Sequence, residues 1–350
     1  MDCSVVVMFA LLTLQIFSVI DIIVSLVTGT MYVNNGSLTS QIQMLTTCVL
    51  SLTSLSLTLL QTKNLRRLRR YHDKFDRVYL IQSRQTIERR GSIWVLCLAA
   101  VHFILKYIQI LEFINDKWYN LVVTTVIQTM SVTANCYVTN IFMNNVLLTK
   151  RLLHVLINKI INLYGLSSSS HYVHNDFSTI RSMYLDIHKT CIIIMKVFQT
   201  QLFLCIIDNV YGITFMMLAA NNILMSNEIN SSRITLSCLY ESIVRAFQIF
   251  FIVYVCYTTS EQARTIPIML QQKNNECYSL LCNVKKKVND FVLEMLDLKI
   301  DFIIYGFIQL DFAMFISIMG SIVTYLLILV QLKTASASVT LSKNDTIRSN

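Results

Sequence analysis

The residues with chemistry to offer are few, and they stand far apart in apolar surroundings. His102, Lys106 and Glu112 lie in one hydrophobic run, Asp208 in a second, and Glu241 with Arg245 in a third. Away from water an ionised side chain is costly and needs a partner or a task. Glu241 and Arg245 are spaced i,i+4 and can pair on one helix, whereas Lys106 and Glu112 are six apart and do not face each other. Thr124, Thr125, Gln128 and Tyr211 add hydroxyl and amide groups nearby. Polar groups like these, set among aromatic and aliphatic walls, suit a pocket for a small organic ligand. They would serve as well as an internal network that orders helices. The pocket candidates are therefore Lys106, Glu112, Gln128, Tyr211, Glu241 and Arg245.

Catalytic signatures are missing from the sequence. There is no Gly-rich phosphate loop, no H-E-x-x-H and no G-x-S-x-G. His154, His171, His174 and His188 scatter around the serine run Ser167–Ser170, without metal-ligand spacing. The ten cysteines form no C-x-x-C pair and map to apolar runs or to the basic connections between them. The expectation is a protein that is not an enzyme and needs no cofactor or metal.

The elements that hold these residues follow from composition. Of 350 residues, 54% are hydrophobic and 14% charged, with one proline and seven glycines; mean hydropathy is +0.56. A soluble domain carries about 25% charged residues, and turn-rich β folds need Gly and Pro as punctuation. A soluble enzyme, a β-barrel and a disordered chain are excluded. A bilayer core needs about 20 apolar residues in a helix. Runs at 4–33, 41–61, 92–115, 120–149, 196–225, 237–259 and 302–332 qualify, which predicts an all-α protein with seven transmembrane helices.

Charge sets the direction. Of 29 basic residues, 21 fall in the connections 62–91, 150–190 and 260–301, which places those connections and the N-terminus in the cytosol and the C-terminus outside. The sequons at Asn35, Asn230 and Asn344 all fall on the outer side and are candidate glycosylation sites. The +9 net charge thus reads as membrane orientation, without a nucleic-acid partner. A cytosolic N-terminus, the missing outer cysteine bridge and the scarcity of proline argue against a G-protein-coupled receptor. Asp76-Arg77-Val78-Tyr79 reads as part of a basic amphipathic helix facing anionic headgroups.

The cytosolic connections carry their own pattern. Cys277, Leu281, Val284, Val288, Phe291, Met295 and Leu298 follow a strict a/d heptad spacing. Phe177, Ile180, Tyr184, Ile187 and Cys191 repeat it, and the fourth span runs on through Leu152, Leu156 and Ile160 to Gly165. Helices are expected to extend below the bilayer into a cytosolic bundle. The implied divisions are 1–275 for the first six spans with their extensions, 276–301 for an amphipathic bundle helix, 302–332 for the last span and 333–350 for an extracellular tail.

The last span reads Gly306-Phe307, Leu310-Asp311, Gly320, then Thr324-Tyr325, five hydrophobic residues and Gln331-Leu332. This resembles the C-terminal signature of insect gustatory receptors, with Leu332 where that family has Phe. The resemblance implies a ligand-gated cation channel of the plasma membrane, a homo- or hetero-tetramer with other chemoreceptor subunits. Its last helix would line the pore, and a small-molecule tastant would bind in the outer half of each subunit. Thr324, Leu327, Ile328 and Gln331 are spaced i, i+3, i+4, i+7 and share one helix face, so they are the pore and gate candidates. Tyr325 points elsewhere and is expected between helices. An insect odorant receptor is the close alternative, and the Thr-Tyr pair favours the gustatory branch. Leu326, where sugar-sensing members often carry Glu, leans toward bitter compounds. A secondary transporter is a second alternative, weakened by the lack of internal repeats and Gly/Pro-broken helices.

Overall fold

The computed structural model describes Ile16, Ile20 and residues 38–79, 118–165, 170–224, 231–276 and 282–348. Its elements are α1 (Leu38–Leu60), α2 (Thr62–Tyr79), α3 (Trp118–Gly165), α4 (Ser170–Leu224), α5 (Ser231–Glu276) and α6 (Cys282–Asp297). A two-stranded hairpin, β1 (Ile303–Ile304) and β2 (Ile308–Gln309), precedes the last helix, α7 (Phe312–Arg348). Among the described residues, three segments, Phe177–Asn221, Thr235–Asn275 and Phe312–Gln331, are long and apolar enough to cross a membrane. The end of α1 and the start of α2 form a fourth if that pair, bent by 62°, counts as one span. The expected span at 92–115 and nearly all of that at 4–33 lie outside the described residues.

Helix lengths follow the sparse punctuation. The helix α3 runs without interruption to Gly165, where the sequence places its first breaker. The 45-residue apolar segment of α4 rises about 68 Å at 1.5 Å per residue. That is more than twice the roughly 30 Å of a bilayer core, so part of α4 must leave the membrane. Hydroxyls on these helices turn back on their own backbone: Thr149, Thr190 and Thr259 donate to the carbonyls of Asn145, Asp186 and Val255. Polar side chains are thereby satisfied without water.

The described chain divides into two compact units, 1–205 with 251–311, and 206–250 with 312–350. In the first, the two heptad stripes meet. Phe177, Ile180, Tyr184, Ile187 and Cys191 of α4 are buried, as are Val288, Phe291 and Met295 of α6. The Phe291 ring takes Phe177 and Tyr184 edge-on, at centroid distances of 5.6 and 5.9 Å. Tyr184 Oη donates to the Leu298 carbonyl at 2.9 Å and ties down the chain just past α6. Leu152, Leu156 and Ile160 of α3 are fully buried in the same unit. Arg181 meets Glu294 at 2.9 Å on its outside.

Two boundaries differ from the sequence reading. The stretch 302–311, expected as the start of the last span, is a hairpin in which Ile303 pairs with Gln309 and Ile304 with Ile308. Its turn closes with Phe307 N–H donating to the Ile304 carbonyl at 3.2 Å. Both central residues have positive φ, Tyr305 at 52° and Gly306 at 79°, the pattern of a primed turn that suits the twist of a hairpin. Glycine adopts this conformation without steric cost. Tyr305 is held in it by its hydroxyl, which donates to Thr200 Oγ1 at 2.9 Å, and by the edge of Phe203. The hairpin forms because a continuous apolar stretch can be strand or helix, and Gly306 decides for the turn. At the other end, α7 continues to Arg348, through the stretch expected as a tail. No Gly or Pro stands there to stop it.

In the second unit, Ile213, Ile249 and Ile322 form a small core flanked by Val210, Ala246, Phe315 and Leu326. Phe250 packs between Phe312 and Phe315 at 6.0 and 5.6 Å. The apolar stretch Phe312–Gln331 of α7 is otherwise little covered: 6% of its apolar window is buried, against 56% for the α4 segment.

Candidate functional site

Three of the scattered charges come together in the second unit. Glu241 and Arg245 are one turn apart on α5, and their side chains meet at 3.3 Å. Arg245 Nη1 also donates to Asp208 Oδ2 on α4 at 3.3 Å and to the Asp208 carbonyl at 3.4 Å. Asp208, Glu241 and Arg245 are only 2%, 4% and 6% exposed. One turn after Asp208 stands Gly212, where a Cβ would lie 2.6 Å from the guanidinium Cζ and Nη1. Gly212 is therefore the seat that admits the planar group between the helices. The i,i+4 pair expected from spacing is present, and Asp208 and Gly212 complete it. Asp208 had a signal in the sequence, as an acid in an apolar run, and a guanidinium with five donors has capacity for a second carboxylate; Gly212 had none. The arrangement is an ion-pair network that joins α4 to α5, with Tyr211 half-buried beside it in sequence.

The second constellation is on α7. Thr324, Tyr325, Leu327, Ile328 and Gln331 are all exposed, Leu327 by 57% and Ile328 by 49%. Tyr325, expected between helices, is uncovered within this chain. The Thr324 hydroxyl donates to the Gly320 carbonyl at 2.9 Å, and Ser317 and Ser321 do the same one turn back. The exposed face therefore presents aliphatic groups and oxygen lone pairs, without a charge. Leu332 and Asn344 lie on α7 and Gln128 on α3, with side chains beyond the described set. Lys106, Glu112, Asn35 and Asn230 lie outside the described residues.

Helices that cross a bilayer and run on beyond it define a multi-pass helical membrane protein. The sequence matches the family model described as 7tm chemosensory receptor over residues 3–336, and the chain belongs to that family. Its fold is similar to that of the insect olfactory receptor OR5 from Machilis hrabei, with a TM-score of 0.68 and 13% identity over 92% of this chain and 88% of that one. At that identity the likeness is one of fold. No curated protein matches the sequence.

Proposed function

We propose that the protein is a gustatory receptor of the plasma membrane, acting as a ligand-gated, non-selective cation channel for bitter or other small-molecule tastants. The observation that carries this reading is the open face of α7. A 20-residue apolar helix left uncovered by its own chain needs lipid or other subunits around it. The spacing of Thr324, Leu327, Ile328 and Gln331 gives that helix one face with an amide at one end and aliphatic side chains between. Rings of Leu327 and Ile328 around a central axis would close a pore by dewetting, and the neutral Gln331 ring would discriminate weakly among cations. Four identical or related subunits, held by the bundle around α6, would supply such rings.

The ligand would enter from the outer side, among Lys106, Glu112, Gln128 and Tyr211, with the Asp208–Arg245–Glu241 network as a wall. Asn35, Asn230 and Asn344 would carry glycans on that side. The Thr324-Tyr325 pair supports the gustatory over the odorant branch. Expression in oocytes with a panel of tastants tests the reading: a ligand-evoked cation current is expected. Gln331→Ala should alter conductance or gating, and currents identical to the parent's would remove Gln331 from the pore.

A further inference from the structure

A different site lies in the first unit, away from both constellations. The helix α4, the link after α6 and the first strand of the hairpin border an open cavity of about 250 Å³. His188, Ile192 and Lys196 line it from successive turns of one α4 face, Lys299 and Asp301 from the link, and Ile303 from β1. The one carboxylate in this lining, Asp301, is turned to Arg264 at 2.9 Å, a guanidinium it shares with Glu261. Lys196 and Lys299 line the cavity as two cations beside one carboxylate, and neither is ion-paired with it. Ile192 and Ile303 are exposed beside them, so the cationic cavity has an apolar rim.

Depth in the membrane gives this combination a meaning. Counting about 20 residues, one bilayer core, back from the apolar end of α4 at Asn221 reaches the region of Gln201. The bond from Tyr305 to Thr200 sets the hairpin at this level, and Lys196 stands one turn below. Phe307, 74% exposed at the hairpin turn, is an aromatic at the height where headgroups meet acyl chains. In the orientation proposed above, this is the cytosolic boundary, whose leaflet is anionic.

We propose that this cavity binds a phosphoester anion through Lys196 and Lys299, with Ile192 and Ile303 receiving the acyl end when the source is a phospholipid. Charge-assisted bonds from ammonium to phosphate oxygens supply the affinity. The test uses the purified full chain in detergent, titrated with dioctanoyl phosphatidic acid, with glycerol 3-phosphate, and with dioctanoyl phosphatidylcholine as the zwitterionic control. The readout is the thermal unfolding midpoint against ligand concentration. Phosphatidic acid is expected to raise the midpoint and phosphatidylcholine to leave it unmoved. The Lys196→Gln/Lys299→Gln double variant should weaken the apparent affinity by about tenfold or more, while Lys196→Arg/Lys299→Arg retains it. A matching shift with glycerol 3-phosphate assigns the site to a free phosphoester; a shift with phosphatidic acid alone assigns it to a lipid. Both lysines are exposed, so their replacement disturbs no packed core. No shift with either anion, or an unchanged affinity in the glutamine variant, overturns the proposal. The readout needs no current, so its failure is distinguishable from failure of the channel reading.

Discussion

Helices α6 and α7 are neighbours in sequence and treat their apolar residues differently. In α6, Val288, Phe291 and Met295 are buried, and Phe291 rests against Phe177 and Tyr184 of α4. Its other face carries Lys285, Lys286 and Lys287. In α7, Ile322 is buried, while Ile316, Val323, Leu327 and Ile328 are open. Under the proposed function, the difference lies in what surrounds each helix, water for α6 and lipid or other subunits for α7. A helix bathed in water has to hide its apolar stripe within its own chain, and the hydrophobic effect rewards the seam. A helix in lipid gains nothing by hiding apolar groups from hydrocarbon, so its packing is decided by close fit and by polar contacts. The Asp208–Arg245–Glu241 network is such a contact, and it lies in the unit that contains α7.

The contrast can be broken at its strongest point first. Arg245→Ala leaves two carboxylates buried without their guanidinium, a loss of up to about 5 kcal/mol. Detergent-solubilised protein should lose its monodisperse peak in size-exclusion chromatography. Phe291→Ala is the matching lesion in the buried seam of α6. It removes a ring from between two aromatic partners and should cost about 3 kcal/mol, seen as a lower unfolding midpoint. Gly212→Ala pushes a methyl against the Arg245 guanidinium and should cost about 2 kcal/mol. Here Arg245→Lys in the same chain should restore part of the midpoint, because the slimmer ammonium clears the new Cβ. Leu327→Ala should change the stability of the isolated chain by less than about 0.5 kcal/mol, since Leu327 touches little of its own subunit. Its effect should appear in ligand-evoked current instead. A large midpoint loss for Leu327→Ala, or none for Phe291→Ala, would abolish the distinction between the two helices.

Sequence revealed these regions unequally, for physical reasons. The α6 seam was legible because a 3.5-residue period marks one face and implies a partner face, which Phe177 to Cys191 supplied. The run-on of α3 to Gly165 was legible because nothing before Gly165 could stop a helix. The hairpin at 302–311 was not, because Ile303, Ile304 and Ile308 extend an apolar stretch that hydropathy assigns to the membrane; Gly306 was the only flag. The continuation of α7 past Leu332 was missed because falling hydropathy marks the edge of a bilayer and not the end of a helix. In the buried network, Glu241 and Arg245 showed themselves by i,i+4 spacing. Asp208 lies 37 residues from Arg245 in sequence, and no local period links them. Gly212 carried no signal until its contact with the guanidinium was seen.

The central claim is that α7 lines a ligand-gated pore with Leu327 and Ile328 at its constriction. The most direct measurement is the ligand-evoked current of an Ile328→Cys variant before and after a cationic methanethiosulfonate reagent applied with ligand, with the parent chain controlling for native cysteines. A positive adduct in the pore should suppress the cation current of the variant irreversibly and leave the parent's intact. Full current through a variant whose Cys is shown to be modified would contradict the account.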